Sequence, residues 1–130
     1  MLYNAGPREA ERISWLRKQL VRNYGITMFS IIMPVYNRRN LVSRAIESVL
    51  AQSCQDFELL IVDDGSTDGT REAVEPYFCE NVKYEYIDHS GVSAARNVAL
   101  KKARFPYIAY LDSDHTWQPE FLGTMAAAIQ

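Results

Sequence analysis

The chain is poor in the residues and runs by which several protein classes announce themselves. Its two cysteines, Cys54 and Cys79, form no Cys-x-x-Cys and have no histidines at zinc-ligand spacing. Zinc and dithiol redox chemistry are therefore excluded, and reduced, partly buried thiols are expected. The six glycines supply neither a Gly-x-Gly-x-x-Gly after the first strand nor a Gly-x-x-x-x-Gly-Lys-Ser/Thr. Dinucleotide and P-loop sites fail on their defining turns. No apolar run exceeds strand length, so no spanning helix is expected. Met1-Leu2-Tyr3-Asn4 leads into a charged segment rather than an apolar one, which argues against a signal peptide and for a cytoplasmic location with at most peripheral membrane association. A formal net charge of -2 leaves no basic footprint, so nucleic acid is not an expected partner.

What is present reads as a soluble α/β protein. With 48% hydrophobic and 23% charged residues in 130, the composition suits one globular domain. Pro7 opens a stretch to about Asn23 in which Ile13, Leu16, Leu20 and Tyr24 recur at helical spacing until Gly25. This amphipathic extension, residues 1–27, carries Arg8, Arg12, Lys18 and Arg22 on its other face. That face suits a homodimer contact or an anionic membrane surface, and equally a solvated face diluted by Glu9 and Glu11.

From residue 28 strands and helices alternate. Phe29 to Met33 reads as a strand stopped by Pro34, which cannot donate to a ladder. A helix from about Arg39 to Ala51 follows, with Val42, Ile46, Val49 and Leu50 as its stripe and Asn37 or Asn40 as its cap. Phe57 to Val62 is apolar almost without break, as in a strand buried on both faces. It is followed by a helix capped by Thr67 or Asp68 and running to about Phe78. Val82, Tyr84 and Tyr86 alternate with polar residues, which suits a strand near a sheet edge. A small-residue helix from Gly91 to about Ala103 has Ala94 and Val98 on one side. The apolar run Tyr107 to Leu111 then reads as a buried strand, and Pro119 opens a last helix with Phe121, Leu122, Met125 and Ile129 on its apolar side. This order predicts a mostly parallel sheet flanked by helices, with right-handed crossovers.

Three strand ends carry polar groups: Pro34 to Asn37, Asp63 to Asp68, and Asp112-Ser113-Asp114. Open α/β sheets bind ligands at the carboxyl ends of their strands. Asp112 and Asp114, one residue apart, can point to one side of an extended backbone and share a divalent cation through oxygen ligands. The same residues also serve as a polar turn before a helix. Adjacent Asp63 and Asp64 repel each other, so at least one is expected to meet a donor or a cation. Arg96 is available to pair with one of these acidic turns, or lies exposed on its helix.

Taken together, the segments Ser30 to Asn37, Ile61 to Asp68, Gly91 to Asn97 and Tyr110 to Asp114 resemble the family 2 glycosyltransferases of the GT-A fold. The resemblance covers about residues 28–130 and leaves the N-terminal extension unexplained. It implies binding of a nucleotide-diphospho-sugar, a UDP-sugar foremost, for transfer to a glycan or lipid-linked acceptor. Pro34, Val35 and Asn37 would belong to the nucleotide pocket, Asp63 would accept from the base, and Asp64 would brace that turn. Asp112 and Ser113 would lie on the ribose side, Arg96 would support the site through the acids, and Asp114 would ligate Mn²⁺ or Mg²⁺ against the diphosphate. His115 stands where many relatives have a further Asp, and is either a metal ligand or a loop histidine. The resemblance also implies a catalytic base in an acceptor-binding half beyond Gln130, so residues 28–130 are expected to be the donor-binding part. Two other readings remain: a non-catalytic nucleotide-binding or assembly module, and a phosphatase of the haloacid-dehalogenase type, whose Asp-x-Asp-x-Thr pattern Asp112 to Thr116 also fits.

Overall fold

A computed structural model of the protein describes residues 28–129, and the expected N-terminal helix, Pro7 to Asn23, lies outside them. The described residues form four strands and four α-helices: β1 (Phe29–Val35), α1 (Val42–Leu50), β2 (Phe57–Asp63), α2 (Thr70–Val74), β3 (Val82–Tyr86), α3 (Val92–Lys102), β4 (Tyr107–Tyr110) and α4 (Phe121–Ile129). All pairings are parallel and the strand order is β3-β2-β1-β4. The expected parallel sheet is present, with β3 at an edge.

The apolar pattern explains the layers. Odd-numbered residues of β1 and β2, among them Ile31, Met33, Leu59 and Ile61, face one core with α1, Val74 of α2 and Leu122 of α4. Ile32, Leu60 and Val62 face the other way, onto α3. In α1 the buried residues are Val42, Ala45, Ile46 and Val49, the i, i+3, i+4, i+7 stripe of a helix lying on a sheet. Burying each of the larger members stabilises the fold by about 1.5–3 kcal/mol. Helix α3 instead buries Ala95 and Ala99, one residue on from the expected Ala94 and Val98. Its small contact residues allow the backbone to lie close to the sheet.

Several expectations are corrected. Pro34 does not stop β1, which continues to Val35 between β2 and β4. The carbonyl of Ile32 accepts from Leu111 N on the β4 side, so by the strand's two-residue period the Pro34 nitrogen also faces that side. The β4 pairing has ended at Ile32↔Tyr110, and no donor is needed there. The same proline thus helps leave a gap between the ends of β1 and β4. Neither Asn37 nor Asn40 caps α1; its N-cap is Leu41, which makes no side-chain cap bond. Helix α2 is short and passes into a 3₁₀ turn at Glu75–Tyr77, because Pro76 cannot continue an α-helical ladder. Strand β4 is not buried on both faces: as an edge strand it leaves Ile108 36% and Tyr110 50% exposed. On α4 only Leu122 is buried, with Phe121 and Met125 exposed. Both cysteines are free, and Cys79 is exposed rather than partly buried.

A buried polar knot sets β4 beside β1. Glu58, 1% exposed, accepts from Ser30 Oγ at 2.6 Å, Arg104 N at 2.7 Å and Arg104 Nε at 3.0 Å. Phe105 N donates to Ser30 Oγ at 3.1 Å. A lone buried carboxylate would be costly, but this one is paired and bonded. The knot fixes the chain entering β4, and hence where its acidic end emerges. No helix among the described residues is long and apolar enough to cross a membrane.

Candidate functional site: a cleft between two strand ends

Strands β1 and β4 are neighbours out of chain order: β1 leads into α1 on one face of the sheet, whereas β4 is reached through α3 on the other, so the strand order reverses between them. Such a switch point opens a crevice at the carboxyl ends of the strands. Here it is an open cleft of about 420 Å³ lined by Pro34, Val35, Tyr36, Arg38, Asp64, His89, Gly91, Val92, Arg96 and Asp112 to Asp114. That volume is in the range of small-ligand sites. Of the residues expected at a site, Pro34, Val35, Asp64, Arg96, Asp112, Ser113 and Asp114 line it, while Asn37 and Asp63 do not.

The two absent residues build the floor instead. Asn37 takes a left-handed conformation with φ 49°, one that Asn tolerates better than most residues. Its Oδ1 accepts from Thr67 N, and its own N–H donates to Ser66 Oγ. Arg38 N donates to Thr70 Oγ1 and Arg39 N to Asp68 Oδ2. The loop after β1 is thereby laced to the loop after β2. Asp63 is fully buried, accepting from Ser66 N at 2.9 Å on one oxygen and from Tyr84 Oη at 2.6 Å on the other. Burial and this bond to Asp63 push the Tyr84 hydroxyl well above its ordinary pKa, so it stays a donor. At Asp68 partial desolvation opposes ionisation, but hydrogen bonds from Thr70 and the Arg39 backbone outweigh it and hold the carboxyl below its ordinary value.

Asp64 is 3% exposed and faces the cleft from below. Ser90 N donates to its Oδ1 at 2.7 Å, and Gly91 N to its Oδ2 at 3.0 Å. His89 Nδ1 lies 2.9 Å from Oδ2, and its ring stacks on Tyr36 with centroids 4.1 Å apart. Gly65, at φ +88°, makes this junction possible: a Cβ there would come within 2.9 Å of the His89 backbone nitrogen. Gly91, at φ +101°, turns the chain so that its N–H reaches the carboxylate before α3 begins.

The opposite rim is open. Arg96 Nη2 donates to Asp112 Oδ1 at 3.2 Å, the pairing expected of that arginine, and its guanidinium lies over the Tyr110 ring. Arg96 Nε is buried without a partner among the described residues, a donor left for something else in the cleft. Asp112, Asp114 and His115 are all exposed, and each can present a ligand atom within 4.8 Å of the others'. Two carboxylates suit the hard cations Mg²⁺ and Mn²⁺, and an added imidazole favours Mn²⁺ of the two. The donor set therefore fits one divalent ion with room for a ligand's own oxygens.

His89, Tyr36 and Arg38 were not singled out in the sequence as site residues. The signal for His89 was its place: His89-Ser90-Gly91 ends the segment after β3 and opens α3, a strand end like the other three.

A family model described as "Glycosyl transferase family 2" matches residues 30–130. Over 98 residues the chain is 42% identical to the putative teichuronic acid biosynthesis glycosyltransferase TuaG of Bacillus subtilis, covering 73% of this chain and 39% of that protein. It is 43% identical over 91 residues to the Escherichia coli UDP-Glc:alpha-D-GlcNAc-diphosphoundecaprenol beta-1,3-glucosyltransferase WfgD, covering 69% of this chain and 36% of that one. Among solved structures, S. aureus TarS 1-349 in complex with UDP-GlcNAc superposes with TM-score 0.75 and 35% identity, over 79% of this chain and 31% of that chain. The chain thus spans less than two fifths of the length of these relatives.

Proposed function

The chain belongs to glycosyl transferase family 2, and on that premise we propose that residues 28–130 are the part that holds a nucleotide-diphospho-sugar, a UDP-sugar, for transfer of the sugar to a glycan or lipid-linked acceptor. The observation that carries this reading is the cleft itself. It sets a buried, pre-bonded carboxylate, Asp64, across from an exposed pair, Asp112 and Asp114, with apolar backbone from Pro34 and Val35 between. A nucleoside diphosphate needs those two kinds of acid: one to accept from its base, and one to meet its phosphates through a cation.

The roles follow from position. Pro34, Val35 and Tyr36 form the wall for the base. Asp64 accepts from the base and Asp63 braces the turn beneath, the reverse of the division implied by the resemblance, because Asp63 is fully buried, bonded to Ser66 N and Tyr84 Oη, and does not line the cleft. Asp112, with Ser113 beside it, serves the ribose side and is held in place by Arg96. Asp114, with His115 beside it, holds Mn²⁺ or Mg²⁺. When bound, such an ion supplies Lewis-acid stabilisation of the departing diphosphate. Arg96 contributes a second positive charge to the same rim. Among the described residues every acid lining the cleft is assigned to the donor, and none is assigned the acceptor's proton. Family membership sets aside the phosphatase reading of Asp112 to Thr116.

Titration calorimetry with UDP, with and without Mn²⁺, tests the proposal. Binding is expected to require the metal and to be abolished by Asp114→Ala. Metal-independent binding, or none in a folded sample, overturns it.

A further inference from the structure

Helix α1 runs beside the loop that carries the exposed acids and meets it with one stripe of residues. Leu41, Arg44, Ser48 and Gln52 follow one another at spacings of three and four, the interval that puts side chains on one face of a helix and of the turn that ends it. Leu41 and Arg44 border a recess of about 310 Å³ together with Asp114, His115 and Thr116. Further along, Ser48 Oγ accepts from Trp117 N at 3.2 Å while donating to Ala45 O at 2.7 Å. Gln52 comes last and is 2% exposed. Its Nε2 donates to Gln118 O at 2.7 Å and to Ser48 O at 3.1 Å, and its Oε1 accepts from Leu122 N at 2.9 Å. Two carbonyls on one side and an N–H on the other leave the amide a single orientation. Leu122 N is one of the first-turn donors that α4 cannot satisfy within itself, so Gln52 also caps that helix. Ser53 N adds a bond to Pro119 O at 2.8 Å.

The acids therefore hang between two fixed points. Leu111, 3% exposed, donates its N–H to Ile32 O on β1, and the chain from Trp117 to Leu122 is tied to α1 and the turn after it. Residues 112–116, between these points, close one turn of their own, His115 N to Asp112 O at 3.0 Å. Asp112 is steadied further by Arg96. Asp114 meets no arginine or lysine among the described residues, so its place is set by the path of the backbone. We propose that Gln52 is a positioning residue for the divalent ion: by tying Gln118 and the start of α4 to the end of α1, it fixes the path of the acid loop and with it the place of Asp114. Ser48 acts in the same way, nearer the acid. Functional constellations must be held to within about 0.5 Å, and ligands set in advance bind without a further ordering cost. The inference rests on the proposed metal and nucleotide site, and adds to it a residue that lines neither the cleft nor the recess.

The test separates loop placement from stability. Gln52→Met keeps the length of the side chain and removes its three bonds. Ser48→Ala removes the tie to Trp117 alone. Val82→Ala, in the same core but at the amino end of β3, is the control for destabilisation. UDP binding to each full chain is measured over a range of Mn²⁺ concentrations, with melting temperatures alongside. The Mn²⁺ concentration for half-maximal UDP binding should rise about tenfold in Gln52→Met and about threefold in Ser48→Ala, while UDP affinity at saturating Mn²⁺ stays native. Val82→Ala should lower Tm and leave the Mn²⁺ midpoint where it is. An unmoved midpoint in Gln52→Met, or a shift of the same size in Val82→Ala, overturns the role of Gln52 and leaves the nucleotide site standing. If Gln52→Met does not fold, Ser48→Ala decides by the same two criteria. A native chain that binds UDP without metal, or not at all, overturns the site and this inference with it.

Discussion

Two acidic strand ends, similar in sequence, have opposite physical characters. Asp63 and Asp64 at the end of β2 are buried, and their carboxylates meet four hydrogen-bond donors: Ser66 N, Tyr84 Oη, Ser90 N and Gly91 N. Asp112 and Asp114 at the end of β4 are exposed, and among the described residues their carboxylates meet, apart from Arg96, only His115, at 3.8 and 3.9 Å. The difference lies in where the strands sit. β2 is interior, so its turn is enclosed, and backbone N–H groups of the turn itself and of the segment after β3 supply the neutralising dipoles. β4 is an edge strand, and its acids emerge into solvent with little to satisfy them. Acids bonded in advance form a fixed reader. Acids left open can take a cation.

The comparison breaks most sharply at Asp64. Asp64→Ala leaves the Ser90 and Gly91 backbone N–H groups without their acceptor, and should lower stability by about 2–5 kcal/mol, read as a fall in Tm on the order of 10 °C or more. Asp63→Ala should follow closely, since Ser66 N and the Tyr84 hydroxyl lose theirs. Gly65→Ala should cost about 1–3 kcal/mol, through its positive φ and the contact with the His89 backbone, and should weaken nucleotide binding at the same time. At the other end Asp112→Ala and Asp114→Ala should change stability by no more than about 0.5 kcal/mol while metal-dependent UDP binding is lost. Equal destabilisation at both ends, measured by thermal melting, would remove the distinction. The smallest effect concerns pH. The Asp68 carboxyl is held below its ordinary value of 3.8, so its contribution to stability is complete above that value and is lost as the pH falls through the lower folded one. In Asp68→Asn the acid limb of a melting-temperature profile should flatten slightly.

Much of this was legible in the chain. The nearly unbroken apolarity of Phe57 to Val62 announced a strand covered on both faces, and the alternation in Val82 to Tyr86 announced an edge. Four motifs in order carried the family. What was less legible depended on neighbours. Tyr107 to Leu111 looks as apolar as an interior strand, and only its place outside β1 leaves Ile108 and Tyr110 uncovered. Pro34 reads as a strand stop unless it is known that no partner lies opposite its nitrogen. Asn37 and Asn40 look like caps, yet Asn37 is spent on Thr67 and Ser66 across the two loops.

The sequence by itself determined the α/β class, the family and the strand ends where ligand chemistry gathers, because these follow from periodicity and from residue types at fixed spacing. Tertiary structure decided the division of labour between the acids. Whether a carboxylate is a brace, a reader or an open ligand depends on how many donors surround it. Most of those donors come from segments 20 or more residues away in the chain, as Tyr84 does for Asp63 and Ser90 for Asp64. Spacing along one strand end cannot count them.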